Sequence, residues 1–186
     1  TKYAKLKDQD DRIVAVAPVV LEDIMIITKN GYGLRFNIEE VPVVGAKAAG
    51  VKAINLKDGD QVAAAFKSTT PSMYILTQRG SLKRMLQDDI PVTSRAKRGL
   101  QVLRELKNKP HRVFKAGPVF TDQGDFDLFT SQEEVVEQDQ ILQITSTTGQ
   151  VTEVDLTQLS ISERTSNGSF VNDTISDQEV FSATIK

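Results

Sequence analysis

Three short apolar runs recur along this chain: Ile24–Thr28 (IMIIT), Met73–Thr77 (MYILT) and Ile141–Thr145 (ILQIT). Each is rich in β-branched and large apolar residues, is too short for a helix, and leads into a turn, KNG, QRG or STTG. Such runs predict strands, and the glycine closing each turn supplies the positive φ of a tight hairpin. With Gly31, Gly80 and Gly149 as the turn glycines, a second glycine stands nineteen residues on in every case, at Gly50, Gly99 and Gly168. A fixed offset carried three times is an internal repeat.

Other positions keep the register. Pro42 and Pro91 stand eleven residues after their turn glycines, where proline ends strand pairing and opens a loop; the third copy has Ser160 there and is the divergent one. A basic residue precedes each second glycine: Lys47 in GAKAAGV, Arg95 and Lys97 in SRAKRGL, Arg164 in ERTSNGS. Strand pattern then resumes (VKAINL, LQVLREL), followed by a turn and a further run, QVAAAF or RVFKA. About four short strands per copy predict an all-β, propeller-like array of four-stranded blades. By itself SRAKRGLQVLRELKNK would score as a basic helix, but the matching GAKAAGVKAINLKDGD reads as strand and turn, so the repeat overrides local propensity.

The stretch LKDQDDRIVAVAPVVLED matches LKDGDQVAAAFKSTTPS at the end of the first copy. Residues 1–23 are therefore expected to be the tail of a preceding blade, and the chain a fragment of a larger protein. Blades follow at 24–72, 73–118 and 141–186, the last two separated by an acidic insertion, 119–140, with seven acids and no base between Thr121 and Gln140.

Charge is segregated along this frame. The net charge is −2, yet residues 1–72 carry +1, residues 73–125 carry +6 and residues 126–186 carry −9. Local potential is what a polyanion meets, so a near-neutral average does not exclude one. The absence of cysteine removes disulfides, Cys-based zinc sites and thiol nucleophiles. No apolar run approaches the roughly 20 residues of a bilayer helix and no signal peptide is visible, so no membrane contact and a cytoplasmic location are expected. One histidine and no clustered pair of carboxylates leave little catalytic material. His111 in KPHRV is expected at the surface, and DQDD (Asp8 to Asp11) is a turn, since the glycine and distal Glu of a calcium loop are missing.

The segments IMIITKNGYGLRF, GAKAAGVKAINLKDGDQVAAAF, MYILTQRGSLKRM and SRAKRGLQVL resemble blades of the C-terminal domain found in the A subunits of bacterial type IIA topoisomerases, gyrase and topoisomerase IV. The resemblance is strong over 6–115 and weak over 141–186. It implies a β-pinwheel, here a partial disc, whose basic rim binds and bends duplex DNA largely regardless of sequence. Family members commonly have a basic residue four positions after the turn glycine; Arg35 and Arg84 stand there, with Lys83 beside the latter, whereas the third copy has Glu153 and should bind DNA poorly. The gyrase signature loop, of the form QRRGGKG, corresponds to Ser94–Leu100. In SRAKRGL, Arg95, Lys97 and Arg98 keep the charge and Gly99 the backbone freedom, but the central paired glycines are missing, which resembles the topoisomerase IV type more than gyrase.

The DNA-binding residues so implied are Arg35, Lys47, Arg79, Lys83, Arg84, Arg95, Lys97, Arg98, Arg104, Lys107, Lys109 and Arg112. The resemblance also implies that the parent enzyme pairs with a B subunit and uses ATP and magnesium as cofactors, with none in this segment. Tyr3, Tyr32 and Tyr74 do not stand in the Arg-Tyr setting of the family's nucleophile, so the segment is expected to present DNA to a strand-passage core, in decatenation or relaxation, rather than to cleave it. A gyrase-type wrapping domain is the near alternative. A propeller-like module whose basic blade meets an acidic protein is the alternative of another class.

Overall fold

The first two apolar runs of the repeat are apolar on both faces, which suits a strand sandwiched between neighbouring layers, while ILQIT carries Gln143 and Thr145 on one face. The computed structural model describes residues 10–19, 21–45, 48–121, 140–171 and 179–186; Lys47, residues 1–9 and most of the acidic insertion lie outside them. The runs form the inner strands of three antiparallel sheets. In the first, β1 (Asp23–Thr28) turns at Gly31 into β2 (Tyr32–Asn37), and β3 (Val62–Lys67) pairs on the other side of β1. The second repeats this with β4 (Ser72–Thr77), β5 (Ser81–Leu86) and, after β6 (Leu100–Gln101), β7 (Val113–Val119). The third has β8 (Ile141–Ser146), β9 (Val151–Asp155) and, after β10 (Ser169–Phe170), β11 (Val180–Ile185). The register is common to all: Met25 faces Arg35, Tyr74 faces Arg84 and Gln143 faces Glu153.

The fourth strand of each of the first two sheets comes from the next copy of the repeat. β6 pairs with β2, placing Leu100 opposite Gly33, and β10 pairs with β5, placing Ser169 opposite Leu82. The second glycine makes this crossing. Gly99 has φ +84, and a Cβ there would lie 2.3 Å from the Gly33 carbonyl oxygen; Gly168, at φ +76, would meet the Leu82 carbonyl oxygen at 2.4 Å. The strand expected at VKAINL does not form: its repeat equivalents, β6 and β10, pair with the sheet of the preceding copy, and no such sheet exists among the described residues.

Apolar cores fill the spaces between sheets. Met25 and Ile27 of the first sheet pack on Met73, Ile75 and Met85 of the second, and Tyr74, Leu76 and Leu82 of the second pack on Leu142, Ile144 and Leu156 of the third. The two ends of the array differ. The outer face of the first sheet, with Ile26, Leu34, Phe36 and Ile54, is apolar, and Ala15, Pro18 and Val19 run along it. On the outer face of the third sheet, Gln143 and Thr145 replace the apolar residues that the repeat places there, Tyr74 and Leu76 in the second copy.

Candidate nucleic-acid interface

Basic side chains sort into those the fold consumes and those it presents. Arg35 pairs through Nε with Asp23 (3.0 Å) and through Nη1 with Asp88 of the next copy (2.7 Å), and its side chain is only 16% exposed. Arg84, its repeat equivalent, donates to Ser72 Oγ (2.9 Å) and to the Thr157 carbonyl of the third copy (2.7 Å). Both tie a blade to its successor. Lys83 is buried, and its ammonium donates to the carbonyls of Val102 and Arg164, both at 2.6 Å. Burial, reinforced by the nearby Arg164 charge and opposed by Asp89, lowers its pKa to about 7. The positions that resemblance marked as rim cations, Arg35, Lys83 and Arg84, are thus internal struts. A buried charge must be paired or hydrogen-bonded, and these donors are spent on that requirement.

The SRAKRGL loop is held against the first blade along its length. Thr93 N–H donates to Arg35 O (2.9 Å), Ala96 N–H to Ala53 O (2.7 Å), and Asn55 N–H to Lys97 O (2.8 Å). Arg95 acts as a clamp: its backbone N–H donates to Glu40 Oε2 (2.8 Å), its Nε to Glu40 O (3.3 Å), and its Nη1 to Lys52 O. Arg164 repeats the last contact one copy later, donating through Nη1 to Gln101 O. Arg95 and Arg164 both stand four residues before a second glycine, and their acceptors two residues after the previous one. Ala96 has φ 64, a left-handed conformation costing an alanine about 1–2 kcal/mol. The left-handed residue falls at Ala96, one position before Lys97 and Arg98, where the signature has its paired glycines.

The presented cations follow from this frame. Arg98, Arg104 and Lys107 are exposed, with side chains that make no hydrogen bond or ion pair among the described residues. Lys97 is exposed and reaches Thr93 Oγ1 at 2.8 Å; Lys109 is exposed as well. Arg112 is half-buried in a two-pronged pair with Glu105 (3.0 and 3.1 Å). Arg79 lies over the Phe170 ring at 5.6 Å and donates to Lys109 O at 2.7 Å. His111, expected at the surface, is buried: Nδ1 lies 3.1 Å from Thr77 Oγ1, and Nε2 lies 3.2 Å from Arg79 Nη1. A guanidinium only donates, so Nε2 accepts and the ring proton sits on Nδ1. Two cations not singled out from the sequence flank the loop, Lys52 and Lys57, the latter 4.7 Å from the Tyr32 ring centre. Only their charge marks them in the sequence, since the repeat places Gln101 where Lys52 stands.

Residues 22–69 and 72–119 match the family described as DNA gyrase C-terminal domain, beta-propeller. The chain belongs to this family. The match covers over half of the chain, and individual relatives of the gyrase C-terminal family extend it into the third copy. The chain is 60% identical over 185 residues to the A subunit of DNA topoisomerase 4 from Streptococcus pyogenes, covering 98% of this chain and 23% of that protein. It is 61% identical over 182 residues to the corresponding protein of Streptococcus pneumoniae, covering 98% and 22%. The chain thus spans less than a quarter of either relative. A crystal structure of the C-terminal domain of DNA topoisomerase IV superposes with TM-score 0.71 at 33% identity, covering 89% of this chain and 46% of that one. These matches agree with the topoisomerase IV leaning of the SRAKRGL loop. Among the described residues, no helix is long and apolar enough to cross a membrane.

Proposed function

We propose that this segment is a non-catalytic DNA-binding domain of a topoisomerase IV-type enzyme, which holds and bends duplex DNA for the strand-passage core. The observation that carries the reading is the sorting of cations: Lys97, Arg98, Arg104, Lys107 and Lys109 are presented to solvent within one short stretch, while Arg35, Lys83 and Arg84 are spent inside. Exposed Lys and Arg that neutralise phosphates release condensed counterions, which favours binding without reading any base. Repeated blades set such contacts at regular steps, and a bend of 40–90° over 20–30 base pairs costs on the order of 1–6 kcal/mol, which several contacts offset. Preference among DNA sequences then reflects deformability. On this reading ATP, magnesium and the B subunit belong to the rest of the enzyme, and decatenation or relaxation is its outcome.

The test is affinity for a random-sequence duplex of about 30 base pairs across a salt series. Log K should fall linearly with log salt, with a slope of about −0.9 for each phosphate contact. A domain with no affinity for duplex DNA even at low salt would sink this reading and favour an acidic protein partner.

A further inference from the structure

The basic loop has an acid beneath it. Glu40 ends the 3-10 turn Ile38–Glu40 after β2, and its carboxylate accepts the Arg95 backbone N–H at 2.8 Å, while its own carbonyl accepts Arg95 Nε at 3.3 Å. The lock is reciprocal: side chain to backbone in one direction, backbone to side chain in the other. By Coulomb's law alone, a carboxylate in a phosphate-binding patch is a fault, since it repels the polyanion the patch attracts.

The backbone around Arg95 supplies a use for it. Ala96 sits at φ 64, which an alanine leaves unless its neighbours hold it. Glu40 fixes the residue before, backbone bonds to Ala53 and Asn55 fix Ala96 and Lys97, and Gly99, packed on the Gly33 carbonyl, fixes the far end; Arg98 is carried on this frame, whose entry Glu40 holds. The loop of the third copy needs no such anchor. It closes on itself through Ser166 N–H to Glu163 O and Gly168 N–H to Ser166 Oγ, both 3.0 Å, and none of its residues before Gly168 has positive φ.

We infer that Glu40 is a positioning residue of the DNA interface, holding the Arg95–Gly99 loop in the shape that aims Arg98 at phosphate. The inference rests on the DNA reading above. Two substitutions that remove the same charge separate its parts. Glu40→Gln keeps an oxygen acceptor for the Arg95 N–H and deletes the repulsion, so it binds duplex DNA as tightly as wild type or tighter. Glu40→Ala also deletes the repulsion but removes the acceptor of the Arg95 N–H and loosens that end of the loop, which must be re-ordered on binding. It therefore binds roughly three- to tenfold more weakly than Glu40→Gln, the cost of immobilising one long side chain. Thermal melts of both proteins check that the domain stays folded. If Glu40→Ala binds as tightly as Glu40→Gln, the positioning role is wrong while the DNA reading stands. If wild type binds no DNA, the underlying reading is wrong.

Discussion

The loops before Gly99 and Gly168 are built on one plan and carry different surfaces. Each drops its glycine onto a carbonyl of the preceding sheet, and each sends an arginine, Arg95 or Arg164, to a carbonyl two residues past the previous second glycine. Beyond that frame they part. One presents Lys97 and Arg98; the other has Ser166 and Asn167, the latter turned inward to accept the Arg104 N–H at 2.8 Å. A basic residue in such a loop is thus either part of the frame or part of the surface, and its place relative to the glycine tells which. The same split runs along the strands. Arg35 and Arg84 reach forward to the next copy, while Glu153, at their position in the third, turns to Lys186 and Gln143 of its own blade.

The glycines give the sharpest way to break this shared frame. Gly99→Ala sets a Cβ against the Gly33 carbonyl at positive φ, and should destabilise the domain by about 3 kcal/mol, the upper range for backbone strain. Gly50→Ala has the same strain, φ +79, but its Cβ meets nothing within 4 Å, so it should cost only about 1 kcal/mol. Paired urea melts compare them, and equal losses would show that close packing on the neighbouring sheet is not what fixes the second glycine.

A second effect separates frame from surface by pH. Lys83 has its folded pKa lowered to about 7 by burial, against an ordinary 10.5. Between these values the unfolded chain binds more protons than the folded one, so the Lys83 contribution to stability grows as pH rises from about 7 to 10 and is lost as pH falls. Relative to Lys83→Met, wild type should gain at most about 1.4 kcal/mol per pH unit across that window. Tyr74, raised to about 12 by burial, acts oppositely above pH 10, where the unfolded phenol ionises first and stability falls. Chemical denaturation of both proteins at pH 7, 8, 9 and 10 measures the difference, and parallel curves would contradict the lowered pKa of Lys83.

Much of this was legible in the residues. Glycine spacing and Thr-terminated apolar runs lead to the hairpins β1–β2, β4–β5 and β8–β9, and the two double-faced apolar strands, IMIIT and MYILT, lead to stacked sheets. The exchange of β6 and β10 onto the preceding sheet was not legible, because a two-residue strand carries no periodicity and its pairing is decided across the chain. Nor does the letter K or R say whether its charge faces water. Lys83 follows Leu82 in a strand whose inward alternation it shares, and only the carbonyls of Val102 and Arg164 explain how a cation is tolerated there. His111 lies in a polar stretch and is buried because Phe170, arriving from the third copy, covers it at 6.1 Å.

The division between clamp and contact is tested most directly by the salt dependence of duplex binding for two single variants, Arg95→Ala and Arg98→Ala. Arg98→Ala should reduce the slope of log K against log salt by about 0.9, one phosphate contact, without changing the melting temperature. Arg95→Ala should leave the slope at its wild-type value and lower the melting temperature, because its guanidinium is spent on Glu40 and Lys52. If Arg95→Ala flattens the slope as much as Arg98→Ala does, with no loss of stability, Arg95 is a phosphate contact and the division fails.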